Sequence, residues 1–161
     1  MTRSAAHRAS FGRYYYPHAR FLPRVASIND LAQRSPLLFC TIIVTAAERY
    51  ENCNTLYDQL CKVLDGLLGQ VLHVAIQNLN VVHSLLVLCL WPVPKMRNCY
   101  DPSHNYIGLA VQAATFHNCH NPWGHDHLAA EYRGLSDTPA SQLDPVVQAM
   151  TWLYCFQISA R

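Results

Sequence analysis

The sequence predicts an all-α fold, an irregular helical bundle. Three observations point there. Apolar residues recur at helical spacing in five separate stretches. Ser35-Pro36, Asp101-Pro102 and Asp144-Pro145 each pair an N-cap residue with a proline suited to the first helical position. No stretch shows the sustained alternation of a half-buried strand. With 161 residues, 51% of them apolar, the chain has length and hydrophobicity for one core and is neither disordered nor of low complexity. Charged residues are only 14%, below the ~25% usual for a soluble domain, so part of the surface is expected to be covered by further chain or a partner.

The first 34 residues carry Arg3, Arg8, Arg13, Arg20, Arg24 and Arg34 against one acid, Asp30. The other six Lys and Arg of the chain face nine acids, and the net charge is +2. A basic leader can be a mitochondrial presequence, a nucleic-acid arm or a solvated segment. Pro17 and Pro23 interrupt the long amphipathic helix a presequence needs. Phe11, Tyr14, Tyr15, Tyr16 and Phe21 lie among the arginines and could stack on single-stranded nucleic acid. No apolar run of secretory-signal type occupies the leader.

From Ser35 the pattern Phe39, Ile43, Ala46, Ala47, Tyr50 marks a helix, and Leu38 and Ile42 make its other face apolar too. The run Thr41-Ile42-Ile43-Val44-Thr45 is strand-like, but the length and the Ala46-Ala47-Glu48-Arg49 exit favour a helix buried nearly all round. That burial suggests partners in absent chain, so the isolated chain is expected to expose apolar patches. Leu56, Leu60, Leu64, Leu67 and Val71 predict an amphipathic helix over 55–73, with a bend or break at Gly66 or Gly69. Val82, Leu86, Cys89 and Leu90 predict a helix over 79–90, stopped by Trp91-Pro92-Val93-Pro94. The next runs from Asp101 to about Cys119, with Gly108 and its alanines allowing close approach of a neighbour. A polar loop spans 121–141, and the last helix opens at Asp144 with Val146, Met150 and Leu153 inward.

Seven cysteines, at 40, 53, 61, 89, 99, 119 and 155, include no C-x-x-C pair, which excludes a zinc ribbon or thioredoxin-type motif. An odd count with no sequon favours a reducing compartment and buried, inert thiols. The longest apolar stretches, 37–47 and 81–91, are about half a membrane span, so no membrane partner is expected. His117, Cys119, His120, His125 and His127 bring five transition-metal ligand types within eleven residues. A structural site normally adds a second spaced pair, and none is present; imidazoles at a helix end also cap carbonyls. His73 and His83, in apolar helices, are expected to be core or interface residues. The chain has no nucleophile elbow, phosphate loop or dinucleotide-binding turn. No catalytic residue and no metal ligand is assigned. The alternative is a small helical metal-binding or Cys–His protein built on His117, Cys119, His120 and His125.

Five segments in order resemble one known family. Tyr15-Tyr16-Pro17-His18 through Phe21-Leu22-Pro23, Ser35 to Ile42, Leu88-Cys89-Leu90-Trp91-Pro92, Asp101-Pro102-Ser103 with Tyr106 and Gly108-Leu109-Ala110, and Thr151-Trp152-Leu153 with Cys155-Phe156 are similar to motifs of fungal-specific transcription factors with a six-cysteine binuclear zinc cluster. Leucine-biosynthesis and secreted-protease regulators are the nearest kinds. The resemblance spans about residues 14–158 and implies part of the middle regulatory domain, all-α and non-enzymatic, in a nuclear protein acting on RNA polymerase II transcription. It also implies a structural role for His120 at a helix end. Cys40 and His104 stand where the family often has Trp, and Asn121 where it often has Arg. The six-cysteine cluster is absent from the sequence. The chain is therefore read as a fragment: a disordered basic leader over 1–13 and a partial regulatory domain over 14–161. It has no cofactor of its own, since zinc and DNA would belong to a missing module of the parent. Its expected partners are other proteins or itself, with an unidentified small-molecule effector.

Overall fold

A computed structural model describes residues 13–22, 28–47, 54–73, 76, 78–93, 101–123 and 144–160. A 3-10 turn, Tyr16–His18, leads into six helices: α1 (Ile28–Arg34), α2 (Pro36–Ala47), α3 (Asn54–Val71), α4 (Leu79–Leu90), α5 (Ser103–Phe116) and α6 (Pro145–Ser159). The described residues contain no strand, and the all-α prediction holds.

α4 is the hub. It packs against α2, α5 and α6, while α2 also meets α1 and α3 and α5 meets α6. α2 is a wall between two hydrophobic clusters. Leu38, Ile42 and Ala46 on one stripe join the larger cluster with Phe21, Leu86, Ala110 and Cys155. Leu37, Cys40 and Val44 on the other join Cys61 and Leu64 of α3 with Leu88 and Val93. Ten of its twelve side chains are buried, as the sequence predicts. The cover comes from this chain, though, and absent partners are not needed for it. Packing on both sides outweighs the β-branched run, since each buried aliphatic side chain contributes about 1.5–3 kcal/mol.

The helix starts follow side-chain chemistry. Asn78 Oδ1 accepts the Asn80 N–H at 2.9 Å and opens α4. Asp144 Oδ1 accepts the Val146 N–H at 2.9 Å, with Pro145 at the first position of α6. Asp101 Oδ1 likewise accepts the Ser103 N–H at 2.9 Å, but the N-cap is Pro102 and α5 begins at Ser103, one residue later than the predicted Asp101 cap and Pro102 start. Ser35 joins two helices: its N–H donates to Leu31 O at 2.8 Å and its carbonyl accepts the Phe39 N–H at 3.0 Å. α1 was not anticipated. Among its described side chains Leu31 and Ala32 are the half-buried apolar ones, too few for a visible period, and its Asp30–Arg34 pair at 2.7 Å is exposed.

Other expectations fail for identifiable reasons. α3 runs unbroken through Gly66 and Gly69, because propagating a formed helix tolerates a ~1 kcal/mol penalty when Leu64, Leu67 and Leu68 anchor the same turns. Gly108 faces open space; Ala110, Ala113 and Ala114 are the small residues turned inward on α5. In α6 the inward residues are Thr151 and Cys155, whereas Val146 and Leu153 are more than half exposed and Met150 is half-buried. A helix rich in aromatic and aliphatic residues has apolar side chains on every side, so its phase is not set by hydrophobicity alone. His73, at the end of α3, is exposed rather than in a core or interface.

Candidate functional site

The histidine–cysteine segment is the C-terminal cap of α5. Asn118 takes a left-handed φ of 55°. The Cys119 N–H reaches back to Ala114 O and the Asn118 N–H to Thr115 O, both at 2.9 Å. These are the two bonds of a Schellman motif, with Asn in the position where glycine is commonest. Cys119 and Ala114, both fully buried, supply its apolar contact. His117 Nε2 lies 3.2 Å from Ile76 O and donates to it, while Gln148 Nε2 donates to His117 O at 3.3 Å. The segment thus ties residue 76, α5 and α6 together. Burial lowers the His117 pKa, and its bond to the Ile76 carbonyl acts the other way. His120 is exposed and meets the Trp152 ring edge-on with centroids 5.8 Å apart, at a helix end as the resemblance implies. Among the described residues no three His, Cys, Asp or Glu side chains converge as metal ligands; His125 and His127 lie outside those residues.

His83 is the most deeply buried histidine described, at 1% exposure. Thr151 Oγ1 donates to Val147 O at 2.7 Å, so at 2.9 Å from His83 Nε2 it can only accept. The ring is therefore the Nε2–H tautomer, assigned from the network. Its Nδ1 has no partner among the described residues. Burial pushes the pKa down to about 3, and the imidazole is neutral at physiological pH. Phe21 lies 5.5 Å from the His83 ring and 4.8 Å from the Tyr154 ring; Tyr154 Oη donates to His18 O at 2.8 Å, and Tyr15 meets Trp91 edge-on at 5.2 Å. Tyr15 and Phe21 are buried, which removes them from any base-stacking surface; Tyr14, half exposed under Arg13, remains accessible.

The described cysteines form no disulfide. Burial raises Cys40 and Cys119 to about 11, and Cys89 and Cys155 to about 12, the inert state expected of them. Cys53 and Cys99 lie outside the described residues.

Two clefts could receive a ligand. The larger, about 620 Å³, runs between the end of α3 and α5 over Leu85, between Gly69 and Gly108. The smaller, about 300 Å³, lies where α2 and α4 begin beside the last turn of α3, with Arg34, Ser35, Gln70 and Asn78 among its walls. The sequence signals at Ser35 and Asn78 speak only of capping, so neither cleft was visible beforehand. No helix among the described residues is long and apolar enough to cross a membrane.

The molecule is thus an all-α protein in which all five motif segments meet in one core: Tyr15 and Phe21, Leu38, Cys89 to Trp91, Tyr106 with Leu109 and Ala110, and Trp152 with Cys155. Comparison with known proteins identifies its relatives as fungal transcription regulators. SEF1 of Kluyveromyces lactis, described as a transcription factor, is 33% identical over 98 residues, covering 57% of this chain and 9% of the relative. SEF1 of Eremothecium gossypii is 30% identical over 101 residues, and the transcriptional regulatory protein SEF1 of Candida albicans is 29% identical over 101 residues. The chain spans about a tenth of the length of these relatives, between 9% and 11%. None of their names denotes an enzyme. No family model matches the chain, and no solved structure does so at a significant level.

Proposed function

We propose that the chain is part of the helical regulatory region of a fungal zinc-cluster transcription factor, acting in the nucleus on RNA polymerase II transcription. The observation that carries this reading is the similarity to SEF1 regulators over 98 residues. It is supported by the motif residues Phe21, Trp91 and Thr151 serving as core contacts, since a segment preserved for its fold keeps such residues. On this reading residues 1–13 are a basic leader and 14–161 belong to the regulatory unit. DNA is bound by a six-cysteine zinc module elsewhere in a longer parent, and zinc belongs to that module alone. This region restrains or licenses activation through protein partners, self-association or a small effector. An effector acts here only through unequal affinity for active and inactive helix arrangements. The test is a reporter driven by the full-length parent: deleting residues 14–158 changes its output, and unchanged output overturns the reading.

A further inference from the structure

The smaller cleft has the chemistry of a receptor for a carboxylate with a short apolar body. α2 begins at Pro36, which has no N–H, and the Leu37 and Leu38 N–H groups have no carbonyl within their own helix to reach. Ser35 is the residue that would ordinarily cap them. Among the described residues its hydroxyl makes no hydrogen bond, and neither amide is engaged. Yet Ser35 is 4% exposed and lines the cleft. Leu38 is fully buried away from the cleft, but Ser35 and Leu37 both line it, so an unpartnered hydroxyl, one free amide and the positive end of a twelve-residue helix share one corner.

The remaining walls complete the pattern. Arg34 stands at the mouth; its Nε pairs with Asp30 at 2.7 Å, which leaves the other guanidinium N–H groups free. Asn78 uses Oδ1 on the Asn80 N–H, so its amide Nδ2 is available. The last turn of α3 presents its carbonyl end to the same space, which opposes an anion. Two of those carbonyls, Gly69 and Gln70, are already taken by the Leu72 and His73 N–H groups. Leu67, Ile76 and Val81 make the rest apolar.

We propose that this cleft binds a small monocarboxylate, with the head group on the Ser35 hydroxyl and the Leu37 amide, flanked by Arg34, and the apolar body against Leu67, Ile76 and Val81. A volume of about 300 Å³ suits a body of several carbons. If the chain is a regulatory region, this is the place where its effector docks. The binding itself stands apart from that reading, because it is measured on the purified chain and not through transcription.

The experiment titrates hexanoate into the 161-residue chain at neutral pH, following amide shifts by NMR, with hexan-1-ol and hexylamine as controls. Hexanoate is expected to saturate with a millimolar dissociation constant, as befits so few atoms, and both controls to bind at least about tenfold more weakly. Ser35→Ala removes a hydroxyl that bonds to nothing, so the fold should persist, which the amide spectrum verifies; hexanoate affinity should fall about tenfold, and severalfold for Arg34→Gln. The proposal is overturned if hexanoate does not saturate, if hexan-1-ol binds equally well, or if both variants bind like the parent chain. A saturating hexanoate site together with an unresponsive reporter would uphold the site and reject the regulatory reading.

Discussion

His83 makes the stability of this protein acid-sensitive in a way that one substitution should remove. The ring is neutral and 1% exposed, with a pKa pushed down to about 3 against about 6.5 when unfolded. Between those values the unfolded chain binds a proton that the folded chain refuses. Unfolding therefore takes up protons, and stability falls as pH drops below 6.5, by about 1.4 kcal/mol per pH unit once the unfolded imidazole is charged. From pH 6.5 to 5 the loss from this residue alone is about 2 kcal/mol, a large part of the 5–15 kcal/mol that holds a domain together. His117, also lowered by burial, acts in the same direction. The informative comparison is therefore His83→Leu against the parent chain. Leucine deletes the titration and the unpartnered Nδ1 while Thr151 keeps its bond to Val147 O, so at pH 7 the change should be within about 1 kcal/mol. Urea unfolding followed by circular dichroism at pH 7 and pH 5 reads both. Thr151→Val completes a cycle: it strands the buried Nε2–H and should cost about 1–3 kcal/mol, most of which the double variant recovers. Equal acid sensitivity of the parent and His83→Leu, or singles that simply add, would refute the buried-neutral assignment.

Three further outcomes are expected. Gly66→Ala and Gly69→Ala, with no atom within 4 Å of the added Cβ, should each raise stability by up to about 1 kcal/mol in the same urea assay; a loss would mean that α3 is not continuous there. Asn118→Gly should be neutral or stabilising and Asn118→Val should cost about 1–2 kcal/mol, since φ is 55°; equal effects would rule out the Schellman cap. In a thiol titration with a chromogenic disulfide at pH 7, Cys40, Cys89, Cys119 and Cys155 should react only after denaturant is added, and rapid labelling of any of them in the native chain would contradict its burial.

What could be read beforehand depended on how local the cause was. The Asp144-Pro145 start of α6 was legible because cap and first residue settle it between themselves, and the span of α4 because apolar spacing and a following Trp-Pro agree. The phase of α6 was not. Its sequence offers Val146, Leu153 and Phe156 as readily as Thr151 and Cys155, and the choice is made by His83 on α4, 68 residues away, which needs a hydroxyl and not a methyl group opposite it. The same distance problem hid the meaning of the histidine–cysteine segment: ligand types clustered in sequence, but Asn118 was the residue that decided the geometry, by turning the chain left-handed. Ser35 shows the converse. Its identity and its proline neighbour say cap, but α1 runs into Ser35, whose N–H is drawn to Leu31 O, and the residue lines the cleft without closing a capping bond.

The buried residues of the resembling motifs do not mark the place where this protein acts. Phe21, Leu38, Trp91, Thr151 and Cys155 are core or near-core, each defined by what it packs against, and a side chain with no exposed surface meets no partner without unfolding. They report a shared architecture. Any recognition must use what they leave outside, which among the described residues includes the two clefts and the outer face of α6 with Val146, Leu153 and Phe156. Of these, only the cleft at Ser35 combines burial with free hydrogen-bond donors, the combination that lets a small ligand be chosen by chemistry and not merely by fit. A ligand seated there touches the start of α2, and α2 is the wall shared by both hydrophobic clusters. A shift at that point reaches α3 through one cluster and α4 and α6 through the other. The cleft is thus placed where a small molecule could bias the arrangement of the whole bundle.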